Sequence, residues 1–115
     1  MITGKVWGET YNIFERNGVR CMGLRIKAGG YCSKHRHKHQ WNHFSVIEGD
    51  LKVRVWKNDY DLVDETWLVS GDSVEVRPGE YHQFIALTDV LAIESYWGEC
   101  DPADIERDSC GGRTQ

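Results

Sequence analysis

The chain has 115 residues, with 18 Asp and Glu against 14 Lys and Arg and a formal net charge of −4. That length is one domain's worth, residues 1–115, and a domain of this size buries roughly two-thirds of its unfolded surface, enough for a core without staples. The acidic balance argues against a nucleic-acid binder, no apolar run reaches the roughly 18 residues of a membrane span, and the content of five Trp, five Tyr and three Phe argues against disorder.

Met1-Ile2-Thr3-Gly4-Lys5 lacks the apolar stretch of a secretory signal, which points to a cytoplasmic protein. Cys21, Cys32, Cys100 and Cys110 form no C-x-x-C pair, so a zinc ribbon is excluded on spacing. They are expected as free thiols in a reducing compartment, a Cys100–Cys110 bridge being the minor alternative.

In chain order the texture is all-β: short runs rich in Val, Ile, Tyr and Trp, separated by turn residues. The first run is 6–14. Asn17-Gly18 follows, a hairpin signal because both central positions of a type I′ turn take positive φ. Residues 19–26 read as the return strand, and Gly29-Gly30 breaks the chain. Residues 31–39 form an unusual strand of alternating basic and imidazole side chains. The runs 43–47, 51–56, 62–69, 73–77, 82–87 and 90–97 complete about nine strands, with turns at Glu48-Gly49-Asp50 and Lys57-Asn58-Asp59, which predicts a sandwich or a barrel. Only the tail departs from this pattern. Asp101, Pro102, Asp104 and Glu106 favour a short helix or turn over 102–107.

Four of the five histidines, His35, His37, His39 and His43, lie within nine residues, and the fifth is His82. Residues two apart on a strand share a face, so His35, His37 and, if the strand extends that far, His39 face one way while Lys34, Arg36 and Lys38 face the other. Two imidazoles at that spacing can hold one metal ion, and a third from a neighbouring strand leaves open positions for water or substrate. The plain alternative is a solvated, charged edge strand or a polyanion patch.

Gly29, His35-Arg36-His37, Asn42 and Gly49, followed by Gly71, Gly79 and His82, resemble the two motifs of the cupin family in order and spacing. Asn42 stands where that family has a glutamate, Pro78 is displaced by one position, and Ala86 stands where it has an asparagine. The resemblance implies a cupin-type jelly-roll β-barrel in which His35, His37 and His82 point inward as metal ligands, with Asn42 at the fourth position. It also implies a homodimer joined through outer sheets. Ser33-x-His35-x-His37, Asn42-His43-Phe44 and Glu48-Gly49 are also similar, more loosely, to the cupin domain of type II mannose-6-phosphate isomerases. So is the tail Asp104-Ile105-Glu106-Arg107-Asp108 with Gly111-Gly112. Two other registers stay open: His39 in place of His35, or His43 brought in by a bulge.

A neutral amide at position 42 adds no negative charge to the ion, which makes it a stronger electrophile and disfavours Mg²⁺ and Ca²⁺; Zn, Fe, Ni, Mn and Cu remain. Trp41, Phe44, Trp56, Tyr81, Phe84 and Trp97 are candidates for the pocket wall, with core filling the alternative for each. By alternation Tyr81 and Gln83 should face away from His82. Cys32 has the wrong parity for the cluster and reads as a spectator thiol, and Glu48 as a hairpin carboxylate. Arg25, Arg54 and Arg77 are candidates for an anionic substrate or for a solvated face.

Two functions follow. The first is a metal-dependent enzyme on a small polar substrate, sugar-like or bearing a carbonyl or carboxylate. It is isomerase-like, with His39 or His43 outside the metal set as general base; an Fe-dependent dioxygenase is its variant. The second is a non-catalytic module that binds a sugar or small acid. Neither calls for nucleic acid or a membrane as partner.

Overall fold

The structure is a computed structural model of the chain and describes residues 2–57, 62–98 and 103–114. Two facing antiparallel sheets make a β-barrel. One contains β1 (Ile2–Lys5), β2 (Gly8–Arg16), β3 (Val19–Ile26), β11 (Val90–Gly98), β6 (Gln40–Glu48) and β9 (Ser73–Val76), in that spatial order. The other is centred on β10 (Tyr81–Ala86). On one side β10 pairs with the short β4 (Gly30–Tyr31) and β5 (His35–Arg36), and on the other with β7 (Leu51–Trp56), which in turn pairs with β8 (Val63–Leu68). Two further short strands, β12 (Glu106–Arg107) and β13 (Gly112–Arg113), lie along β5 and β4.

Side-chain alternation decides which residues meet inside. Phe44 and Val46 of β6, Leu51, Val53 and Val55 of β7, Phe84 and Ala86 of β10, Val90 and Ala92 of β11, and Leu24 and Ile26 of β3 are all buried. Lys52 and Arg54, between the inward residues of β7, carry ion pairs to Glu65 on the outside. Burying a large apolar side chain contributes about 1.5–3 kcal/mol, so this cluster holds the two sheets together. It fills one end of the barrel. Trp7 packs edge-on to Phe84 at 4.9 Å, and Phe44 lies 6.2 Å from both Phe84 and His82. The core therefore ends at a histidine.

The hairpin signal at Asn17-Gly18 is realised, with φ of 53° and 77°. Gly79 has φ of 85° and donates its N–H to the His37 carbonyl at 2.7 Å, tying the turn before β10 to the segment after β5.

Two expectations change. Residues 31–39 are not one strand. The chain leaves the ladder at Cys32, whose Sγ and carbonyl take the Phe84 N–H and the Gln83 side chain, and rejoins β10 only at His35. The described part of 102–107 is no helix: Ala103 lies in a turn, and Glu106–Arg107 is drawn into the sheet as β12 by pairing with β5. Asp101 and Pro102, the Asn58-Asp59 part of the predicted turn, and Cys100 of the Cys100–Cys110 pair lie outside the described residues. No helix of the described residues is long and apolar enough to cross a membrane.

Candidate metal centre and cavity

Three elements bring the histidines together. His35 is on β5, His37 follows it in the connection to β6, and His82 on β10 is the cross-strand partner of His35. One potential ligand atom from each lies within 4.8 Å of the others. The ring centroids are 4.3 Å apart for His35 and His82, 5.0 Å for His35 and His37, and 5.4 Å for His37 and His82. The two-apart parity is kept across the end of β5, and the third ring comes from the neighbouring strand.

Each ring is oriented by the backbone. Nδ1 of His35 lies 2.7 Å from the Ser33 carbonyl, Nδ1 of His37 2.7 Å from the Asp104 carbonyl, and Nδ1 of His82 3.1 Å from the Glu80 carbonyl. A carbonyl only accepts, so each Nδ1 carries the proton and each Nε2 presents a lone pair. Burial keeps the rings neutral. It lowers the His35 pKa to about 4, with further lowering by the nearby His37 and Arg107 charges against the Ser33 carbonyl. The same burial lowers His37, and it holds His82 well below the usual imidazole range.

A further observation tests the fit to a metal: the buried Nε2 of His37 has no hydrogen-bond partner among the described residues. An orphaned lone pair in a buried site costs free energy unless something occupies it. Three neutral imidazoles whose Nε2 atoms carry lone pairs, with no partner on that of His37 and only a 3.4 Å amide contact on that of His82, are the donor set of a transition-metal centre with open positions.

Asn42, buried on β6, stands beside the cluster. Its Nδ2 lies 3.4 Å from His82 Nε2 and donates to Glu94 Oε2 at 3.0 Å, while its Oδ1 is buried without a partner. In this orientation the amide bridges histidine and carboxylate; ligation through Oδ1 requires it to turn over.

The space in front of the histidines is a cavity of about 530 Å³. His35 and His37 line it, with Phe84, Trp7, Cys32, Glu94 and Tyr96. Sequence reasoning passed over Glu94 and Tyr96, although the alternation of β11 contained the signal: both share the parity of buried Ala92. Glu94 is fully enclosed, and burial raises its carboxyl to about 7 despite hydrogen bonds from Tyr96 and Asn42. Burial and the Glu94 charge together push the Tyr96 phenol well above its ordinary value, so it stays protonated and donates. Tyr96 also meets His37 edge-on at 5.8 Å.

Other predicted residues are placed elsewhere. His39 is exposed, and His43 alternates with inward Asn42 and Phe44, facing outward opposite Ser95 and Glu75; neither lines the cavity. Trp41 and Trp97 stack on the outer face of the six-stranded sheet at 6.2 Å. Trp56 and Tyr81 lie outside as well, under Lys34 at 4.2 Å and Arg36 at 4.8 Å. Arg25 and Arg54 pair with Glu9 and Glu65, and these two and Arg77 are absent from the cavity wall; Lys5, Arg20 and Arg107 line it instead. Cys32 also lines it, because the break in the strand cancels the parity argument. Burial holds its thiol at about 12, un-ionised at neutral pH.

Residues 103–114 close one wall. The Asp104 carboxylate accepts the N–H groups of Lys38 at 2.6 Å and His39 at 2.8 Å, and Arg36 binds Glu106 at 2.7 Å. The Lys34 carbonyl accepts from Asp108 N–H at 2.8 Å.

Comparison with known proteins places this architecture. Scans of protein-family models and of curated protein sequences find no match. Among solved structures, the capsular polysaccharide assembling protein CapF from Staphylococcus aureus superimposes with a TM-score of 0.83 at 18% identity, over 93% of this chain and 33% of that one. Oxalate decarboxylase from Bacillus subtilis gives 0.81 at 16% identity, over 94% and 30%. KdgF from Halomonas sp. gives 0.71 at 17% identity, over 81% and 80%. The chain thus spans about a third of the length of the first two. These neighbours share the cupin fold, and the all-β barrel described above is that fold.

The depressed imidazole pKa values carry a sign. A histidine near 4 when folded and near 6.5 when unfolded contributes stability that is present above pH 6.5 and lost as pH falls towards 4. Glu94, raised from 4.5 to about 7, works the opposite way, losing stability as pH rises through that interval. Urea unfolding of chelator-treated protein should show the midpoint falling between pH 6.5 and 4. His35→Asn should flatten that fall, and Glu94→Gln should steepen it.

Proposed function

We propose that the protein is a metal-dependent enzyme acting by proton transfer on a small polar substrate that carries a carbonyl group, an isomerase-like chemistry. His35, His37 and His82 would hold the metal through Nε2, and Asn42 would be the fourth group in the turned-over orientation of its amide, leaving Tyr96 as the donor to Glu94. A divalent transition metal (Zn, Fe, Ni, Mn or Cu) bound there supplies a Lewis acid that polarises the carbonyl oxygen and acidifies the neighbouring carbon. The single observation that carries this reading is the unpartnered, inward lone pair of His37 within a three-imidazole cluster, in a cavity that also holds a buried carboxylate.

Glu94 is the general base of this reading, in place of His39 and His43, which do not reach the cavity. Its carboxylate takes the substrate proton and returns it to the adjacent carbon. Tyr96 holds it in place by donating to it, and Asn42 does so as well in the orientation seen here, before any turn towards a metal. Phe84 and Trp7 keep water from the wall beside it. A polysaccharide-assembly protein and an oxalate-acting enzyme among the structural neighbours support sugar-like or carboxylate substrates as the classes to try first. The reading includes a homodimer through the outer face of the six-stranded sheet, where the Trp41–Trp97 stack and half-exposed Ile47 lie; light scattering should give twice the chain mass.

Elemental analysis of the purified protein should find a transition metal equimolar with the chain. His35→Ala, His37→Ala and His82→Ala should each lose it; full occupancy in all three would dispose of the centre. With metal-loaded protein and a panel of aldoses, sugar phosphates and keto acids, a substrate proton should exchange with solvent deuterium. Glu94→Gln should slow that exchange by about 10²–10⁴-fold without loss of metal. Bound metal with no exchange anywhere in the panel would favour a non-catalytic binding module.

A further inference from the structure

Three cations line the cavity and have no part in the chemistry above. Lys5 comes from β1, Arg20 from β3 and Arg107 from β12. Arg107 is the cross-strand partner of His35, and directly opposed residues of an antiparallel pair project on the same face. Its guanidinium therefore belongs to the same wall as the imidazole cluster.

These charges are poorly neutralised by the protein. Arg20 lies 3.6 Å from Glu15, beyond the roughly 2.7–2.9 Å of a charge-assisted hydrogen bond. Among the described residues, neither Lys5 nor Arg107 forms an ion pair. The two acids that face the cavity are hydrogen-bonded to other groups: Glu94 accepts from Tyr96 and Asn42 and meets Lys5 only through space, and Asp104 accepts from backbone N–H groups of Lys38 and His39. Three like charges lining one open cavity repel one another unless a ligand answers them. The volume, about 530 Å³, falls within the roughly 300–1,000 Å³ of small-molecule sites.

We propose that the cavity takes a small molecule bearing an oxyanion, a carboxylate or a phosphate, held by Arg107 with Lys5 and Arg20, while the rest of the molecule reaches the imidazoles. Arg107 is the specificity determinant, because a guanidinium fork matches two oxyanion oxygens where an ammonium offers a point charge. The inference rests on reading this cavity as a substrate site, as above, but it does not require the metal.

Titration calorimetry on the full chain, both zinc-loaded and chelator-treated, tests it with glucuronate, glucose 6-phosphate and neutral glucose as probes. At least one anion should bind, glucose should not, and anion affinity should fall with added salt. Tighter glucuronate identifies the carboxylate, and tighter glucose 6-phosphate the phosphate. Arg107→Gln should weaken anion binding about tenfold or more with zinc content and urea midpoint unchanged, and Arg107→Lys should restore part of the loss. The proposal is overturned if the wild type binds neither anion, if glucose binds as well as both, or if Arg107→Gln keeps wild-type affinity. Failure of the wild type to hold zinc, with anion binding intact in chelated protein, would sink the metal reading and leave this one standing.

Discussion

The hydrogen bond from Nδ1 of His37 to the carbonyl of Asp104 joins the histidine cluster to the wall built by residues 103–114. The same arrangement recurs at His35 and His82, each held by a carbonyl two residues away. Because carbonyls only accept, the proton is fixed on the outer nitrogen and the lone pair is turned inward. Burial keeps the rings uncharged. Tautomer and orientation of all three rings thus come from backbone geometry and their neutrality from burial, with no carboxylate side chain bonded to any of them among the described residues. His37 differs from the other two in its reach: its anchor lies 67 positions along the chain.

The barrel is divided along its axis. One end is filled by Phe44, Val53, Val55, Ala86 and their neighbours. The other carries the imidazoles, the Asn42–Glu94–Tyr96 group and the cations that line the cavity. Phe44 and Phe84 are the boundary, since they belong to the core and lie close to His82 or the cavity. A carboxylate at this depth is costly unless hydrogen-bonded. Asn42 and Tyr96 supply those bonds, which gives the amide at position 42 a role independent of any metal.

The alternation that fixes the two faces of β7, β10 and β6 was legible in the sequence, and so was the histidine cluster, since both rest on a period of two. The same rule failed for Cys32, because Phe84 and Gln83 draw the chain out of the ladder there and parity does not survive a break. Glu94 was legible in principle, as the one acid at an inward position of an otherwise apolar strand, but its meaning depends on Asn42 across the sheet. Arg107 was not legible. Its neighbourhood reads as a capped helical turn, and only pairing with β5, more than 70 residues earlier, makes it a strand facing His35. Non-local pairing overrides local propensity most easily in segments this short.

The strap of residues 103–114 also bears on the order of events in folding. Its ties reach back to Gly29, Lys34, Arg36, His37 and His39, and contacts between such distant parts of a chain must overcome a large loop-closure entropy before they stabilise anything. The hairpin at Asn17-Gly18 and the close β6–β7 connection need no such closure. Pairing β11 with β3 spans a similar distance along the chain, so the wall that anchors His37 and the sheet that carries Glu94 face the same entropic barrier and belong to one cooperative closure.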